Sequence, residues 1–119
     1  MDHIILTGLA ATGHHGVFEH ERRNGQRFVV DVDLGVDMTA AAASDDLAQT
    51  VDYSSVADEV LAVVTGTPRD LVETVAVEIA DRILALPGVL EVEVVLHKPQ
   101  APLTVDFDDV IIRVRRSRA

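Results

Sequence analysis

The sequence predicts an α+β domain with the element order β-β-α-α-β-β, a four-stranded antiparallel sheet carrying two helices on one face. Three observations carry this reading. Residues 27–38 alternate: Phe28, Val30, Val32, Leu34, Val36 and Met38 fall on one face, and Asp31, Asp33, Gly35 and Asp37 on the other. That is the period of a strand with one dry and one wet side. Residues 54–64 and 69–84 repeat apolar side chains at three-to-four spacing, the stripe of a helix that covers a sheet. Residues 90–97 and 107–116 then return to alternation, so a helix pair sits between two strand pairs in a two-layer domain.

Taken in order, residues 2–12 (DHIILTGLAAT) form the first strand, though its alternation is weak. Gly13-His14-His15-Gly16 is turn-like punctuation, and Phe18–Gly25 is a charged loop. After the second strand, residues 40–53 are a connector with one helical turn near Ser44–Leu47. Ser54 or Ser55 caps a helix reaching Val64, with Val56, Val60, Val63 and Val64 on its stripe, and Gly66-Thr67-Pro68 ends it. The second helix turns Leu71/Val72, Val75/Ala76, Ile79 and Ile83 to one side. Asp70 and Glu73 read as its capping box, N-cap and N3. Glu78 and Arg82 form an i,i+4 pair on its other side, worth a few tenths of a kcal/mol.

Pro87-Gly88 stops the helix, and the third strand places Val92, Val94 and Leu96 inward. The prolines after Lys98 end that strand, because they cannot donate to a ladder. The last strand alternates Val110, Ile112 and Val114 against Ile111, Arg113 and Arg115. No repeat, linker or low-complexity stretch interrupts a single domain spanning residues 1–119. Such a monomer has two unprotected sheet edges and a polar second face, which favours a cyclic oligomer joined edge to edge.

At 119 residues the chain can bury roughly 65% of its unfolded surface without staples. With no cysteine there is neither a disulfide framework nor a thiol nucleophile. No apolar run of about 18 residues exists, so a membrane span is not expected. MDHIILTG lacks a basic region followed by an apolar one, and a cytoplasmic location is the expectation. A net charge of −10 argues against a nucleic-acid backbone as partner. Arg113, Arg115, Arg116 and Arg118 crowd the last seven positions and read as a solvated strand end. Lysine occurs once, at Lys98, so any chemistry that needs an ammonium is easy to locate.

Four features stand apart from the fold. His14-His15-Gly16 precedes Glu21, and with His20 and His97 could be imagined as a metal site. Neighbours on an extended backbone point to opposite faces, however, and there is no His-x-His pair, so no metal is expected. Tyr53, the only tyrosine, is either a packing residue at a helix start or a fixed phenolic proton donor. Glu73 is either half of a capping box or a held acceptor for a ligand with paired N–H donors. Lys98 is either a solvated strand-end side chain or, if partly desolvated beside a pocket, an acid/base.

Together these pieces resemble one family. Gly13-His14-His15-Gly16 with Glu21 and Gly25-Gln26, Asp45-Asp46 leading to Thr50-Val51-Asp52-Tyr53, Leu71-Val72-Glu73, and His97-Lys98-Pro99 with Ala101-Pro102 are similar to bacterial dihydroneopterin aldolase over about residues 3–116. Thr12, where the family more often has an aromatic, and Val72, where Leu is commoner, bear on pocket shape. The resemblance implies the tunnelling fold, in which four subunits join their sheets into a barrel with helices outside and two rings stack as an octamer. It implies a lyase of folate biosynthesis that cleaves 7,8-dihydroneopterin, with epimerase and oxygenase side activities, and with no cofactor. By the same resemblance Glu73 and the Val72 backbone bind the pterin, and Tyr53 and the Val51 backbone reach it from an adjacent subunit. Lys98 is then the acid/base, Glu21 positions hydroxyls and water, and Tyr53 delivers the final proton. The alternatives are an epimerase of the triphosphate form of the pterin, which suits a strongly acidic chain poorly, and a non-catalytic ring-forming pterin-binding module.

Overall fold

The computed structural model describes residues 1–118. Its elements run β1 (Asp2–Gly13), α1 (Glu19–Asn24), β2 (Gln26–Val36), α2 (Thr39–Ser44), α3 (Tyr53–Val64), α4 (Val72–Leu84), β3 (Glu91–His97) and β4 (Ile111–Ser117), with a 3-10 turn at Leu47–Gln49. The four strands form one antiparallel sheet in the order β1-β2-β3-β4. Helices α3 and α4 pack on each other and on the sheet, α3 against β1 and α4 against β3 and β4. The fold is therefore the predicted α+β sheet with its two long helices, and among the described residues no helix is long and apolar enough to cross a membrane.

The core follows from the two periods. Phe28, Val30, Val32 and Leu34 of β2 and Val92, Val94 and Leu96 of β3 are buried in register, Val30 opposite Leu96 and Val32 opposite Val94. They meet Val56, Val60, Val63 and Val64 of α3 and Val75, Ala76, Ile79, Ala80 and Ile83 of α4. Each fully buried Val or Ile contributes about 1.5–3 kcal/mol through the water it leaves. The other sheet face is polar: His3 bonds Asp33 at 2.6 Å, and Arg113 and Arg115 approach Glu93.

The weak alternation of β1 has a physical cause. Its register slips between Leu6, opposite Val32, and Leu9, opposite Val30. Gly8 in this bulge has φ +73°, a conformation that favours glycine, and its N–H donates to Asp31 Oδ1 at 2.7 Å. One extra residue inverts the parity, so Ile4 and Leu6 face the core before the bulge and Leu9 and Ala11 after it.

Several local expectations are corrected. The charged loop contains helix α1, and the single turn expected near Ser44–Leu47 is α2 followed by the 3-10 turn. Asp52, not Ser54 or Ser55, caps α3, accepting from Ser54 N–H at 3.0 Å. The N-cap of α4 is Leu71 rather than Asp70, because the Asp70 carboxylate is taken by Arg22 of α1. Glu73 thus sits at N2 and has no part in a capping box. Glu78 pairs with Arg69 and Arg82 with Glu59 of α3, tertiary partners that displace the i,i+4 pair. Pairing of β4 begins at Ile111, opposite His97, so residues 98–110 form a loop between β3 and β4.

Candidate active site

Helix α1 is short, charged and almost entirely exposed, and the residue it buries is Glu21. At N3, Glu21 reaches back so that Oε1 accepts from Phe18 N–H at 3.2 Å, the bond that had been expected of Glu73. Its Oε2 accepts from Gln26 Nε2 at 2.8 Å and lies 2.7 Å from Lys98 Nζ. Only 3% of Glu21 and 8% of Lys98 remain exposed. Gly16 (φ +140°) leaves room for this carboxylate, since a Cβ at that position would overlap it. Burial alone pushes the Glu21 carboxyl up, but hydrogen bonds from Lys98, Gln26 and Phe18 outweigh it and hold the group below the ordinary carboxylate range. Lys98 follows β3, and its own N–H is tied to Val110 C=O at 2.8 Å.

Facing this pair is the start of α4. Val72 and Glu73 are its first two residues, and the leading N–H groups of any helix lack acceptors within it. Glu21, Lys98, Val72 and Glu73 line one cavity of about 280 Å³, completed on its apolar side by Phe18, Leu71, Pro102, Leu103 and Val110. A wider, shallower depression of about 630 Å³ runs along the outer side of α4 and shares Glu73 with it. The cavity thus offers an exposed carboxylate at one end, a buried ammonium–carboxylate pair at the other, and apolar walls suited to a flat ring.

A bracket of hydrogen bonds sets the distance between those two ends. His15 is fully buried; its Nε2 donates to Val64 C=O at 2.8 Å and its Nδ1 accepts from Arg69 N–H at 3.0 Å, partners that define the neutral tautomer. Burial also lowers its pKa, against the pull of the backbone carbonyls. Gly16 N–H donates to Arg69 C=O, and Arg22 Nε donates to Gly16 C=O, each at 2.9 Å. With the Arg22–Asp70 pair, the loop before α1 is pinned to the connection that launches α4.

The remaining predicted residues lie elsewhere in the chain. Tyr53, the first residue of α3, is 63% exposed. Val51 is buried and borders a separate depression of about 190 Å³ with Val36, Pro87 and Gly88. The histidines go to different partners: His14 to Arg22 C=O, His15 as above, His20 stacked on Phe18, and His97 between Asp31 and Asp109. Gln26, Phe18 and Leu103 were not expected at the site; Gln26 alone had a signal, as part of the Gly25-Gln26 motif.

Comparison with known proteins supplies a family. Residues 4–115 match the family model described as dihydroneopterin aldolase (FolB). The dihydroneopterin aldolase of Streptomyces coelicolor is 58% identical over 118 residues, 99% of each chain, and that of Bacillus subtilis is 35% identical over 120 residues, the whole of both. The crystal structure of Escherichia coli dihydroneopterin aldolase in complex with neopterin superposes with a TM-score of 0.89 at 32% identity, over 98% of this chain and all of that one.

Proposed function

The chain belongs to the dihydroneopterin aldolase family, and from that premise we propose how its side chains divide the work. The protein is a lyase of folate biosynthesis that cleaves 7,8-dihydroneopterin into 6-hydroxymethyl-7,8-dihydropterin and glycolaldehyde. The observation that carries the assignment of roles is the Glu21–Lys98 pair facing Val72 and Glu73 across one cavity.

Glu73 accepts from the pterin's 2-amino group and the adjacent ring N–H, helped by the Val72 backbone. Two parallel donors on one carboxylate fix the ring's orientation, and each such bond contributes about 1.5–3 kcal/mol. Neopterin in the E. coli relative supports a pterin as the occupant. The ring is thereby laid across the apolar wall with its hydroxylated side chain toward Lys98.

Cleavage breaks the bond between the first and second side-chain carbons. Lys98, directly or through water, carries the proton lost by the second carbon's hydroxyl to the ring nitrogen, while the electrons of the broken bond enter the ring C=N. Glycolaldehyde leaves, and the remaining enamine gains a proton on its exocyclic carbon from Tyr53 as the ring nitrogen gives up its own. Glu21, ionised and hydrogen-bonded on both oxygens, holds the ammonium and the hydroxyls in place. If glycolaldehyde re-adds to its other face before leaving, the substrate is epimerised.

Tyr53 and the Val51 backbone join this cavity from an adjacent subunit, in a ring of four that stacks into an octamer. The separation of Val51 and Tyr53 from Lys98 within one chain supports this, as do the two sheet edges β1 and β4 with exposed Ile5 and Ile111. Incubation of the purified protein with dihydroneopterin, with glycolaldehyde as the readout, tests the assignment. Lys98→Ala should cut turnover far more than ligand binding, and Glu73→Gln should weaken pterin binding most. The reverse pattern refutes it.

A further inference from the structure

On the wet face of the sheet, away from the cavity, His97 lies between two carboxylates. Its Nε2 is 2.8 Å from Asp31 Oδ2 and its Nδ1 is 2.7 Å from Asp109 Oδ2. Asp31 is anchored in turn by the Gly8 N–H of the β1 bulge. Asp109 is not: its Oδ1 is buried without a partner, so among the described residues its carboxylate is held by His97. The contacts run from β1 through β2 and β3 to the end of the loop 98–110, which walls the cavity with Pro102 and Leu103. The same loop is closed one residue further in, where Lys98 N–H meets Val110 C=O.

We propose that His97 is a positioning residue: the Asp31–His97–Asp109 clasp fixes the base of loop 98–110 and so seats the Lys98 side chain on Glu21. Successive residues at a strand end point to opposite faces, so His97 grips the wet side while Lys98 enters the cavity. A ring with a carboxylate at each nitrogen donates from both, which makes it the imidazolium, and both bonds are charge-assisted. Burial by itself lowers the His97 pKa, yet the hydrogen bonds it donates to Asp109 and Asp31 outweigh it and hold it above the ordinary 6.5. The charged residues facing it are Asp31 from β2 and Asp109 from the loop; Arg27 of β2 and Arg113 of β4 share the face by register, Arg113 lying 3.9 Å from Glu93. When the proton leaves, a nitrogen lone pair faces a carboxylate, and the unanchored partner, Asp109, is the one released.

The proposal rests on Lys98 as the proton carrier, and the test separates the two. Amide hydrogen exchange at Lys98 is followed from pH 6 to 9 in the wild-type protein, and at neutral pH in His97→Gln and Asp109→Asn, alongside kcat and KM. Wild-type exchange should rise with pH more steeply than first order in hydroxide as His97 deprotonates. Both variants should exchange at least about tenfold faster at Lys98. Their kcat should fall on the order of tenfold with KM changed less than about threefold. First-order exchange throughout, unchanged exchange in the variants, or kcat and KM shifting together would overturn the clasp. A variant that fails to fold leaves the wild-type pH series to decide. Full turnover by Lys98→Ala would instead sink the catalytic assignment, whatever the exchange shows.

Discussion

Glu21→Gln perturbs the site with the smallest change of shape. The wild-type carboxylate accepts three hydrogen bonds, from Phe18 N–H at 3.2 Å, Gln26 Nε2 at 2.8 Å and Lys98 Nζ at 2.7 Å. An amide nitrogen facing Lys98 and Gln26 loses two of these; turned the other way, it loses the Phe18 bond and the charge that strengthens the others. Breaking a dry buried ion pair costs roughly 3–5 kcal/mol. Here the ammonium borders an open cavity and can be rehydrated, so the expected loss is about 2 kcal/mol. Urea unfolding at fixed protomer concentration reads it as a lower midpoint at unchanged slope. The sign with pH follows from a depressed folded pKa. The contribution is fully present above the ordinary 4.5 and is lost as pH falls through the lower folded value, so wild type and variant should converge in acid. Turnover at neutral pH should fall on the order of 100-fold. A stability loss below about 0.5 kcal/mol together with turnover within about twofold of wild type would refute the claim that this pair seats the ammonium.

Gly16→Ala places a Cβ on the Glu21 carboxylate at a φ that L residues rarely adopt, so it should destabilise by about 1–3 kcal/mol in urea unfolding and lower turnover with it. His15→Ala removes a fully buried ring and strands Val64 C=O and Arg69 N–H; a loss of about 2–4 kcal/mol should appear as a clearly lower Tm. Glu73→Gln keeps the exposed helix start but removes the charge from the two pterin bonds proposed for it, and calorimetry with neopterin should show affinity reduced by about ten- to a hundredfold with little change in Tm.

Much of this was legible because burial on one face imposes a period. β2, β3 and the stripes of α3 and α4 are one-sided, and most of their buried residues are those the alternation and the three-to-four spacing name. Leu71, placed on the α4 stripe, is instead half exposed at the cavity. Ala80 and Gly35, small enough to be closed over by their neighbours, are buried without having been named as inward. β1 was blurred because the bulge at Gly8 inverts inside and outside half-way along. α1 was invisible for a different reason: Glu19–Asn24 has no apolar stripe, and what it buries is a carboxylate. The Asp70–Glu73 pattern misled because a local motif cannot show that Arg22, 48 residues away, claims the aspartate. Glu21, Val72, Glu73 and Lys98 were all named from the sequence, but the Glu21–Lys98 contact depends on tertiary packing. The link from His97 to Asp31 and Asp109 has no local signature, since its members come from β2, β3 and the loop before β4.

The central claim is a site divided between subunits, with Lys98 and Glu73 on one side and Tyr53 on the other. Lys98→Ala and Tyr53→Phe chains, each purified with little activity, are dissociated, mixed in equal amounts and reassembled, and formation of the hydroxymethyl product is followed. In a randomly mixed ring roughly a quarter of the sites would combine an intact Lys98 with an intact neighbouring Tyr53, so activity should return to about that fraction of wild type. A mixture no more active than the average of its two components, despite proven exchange of subunits, would contradict a shared site.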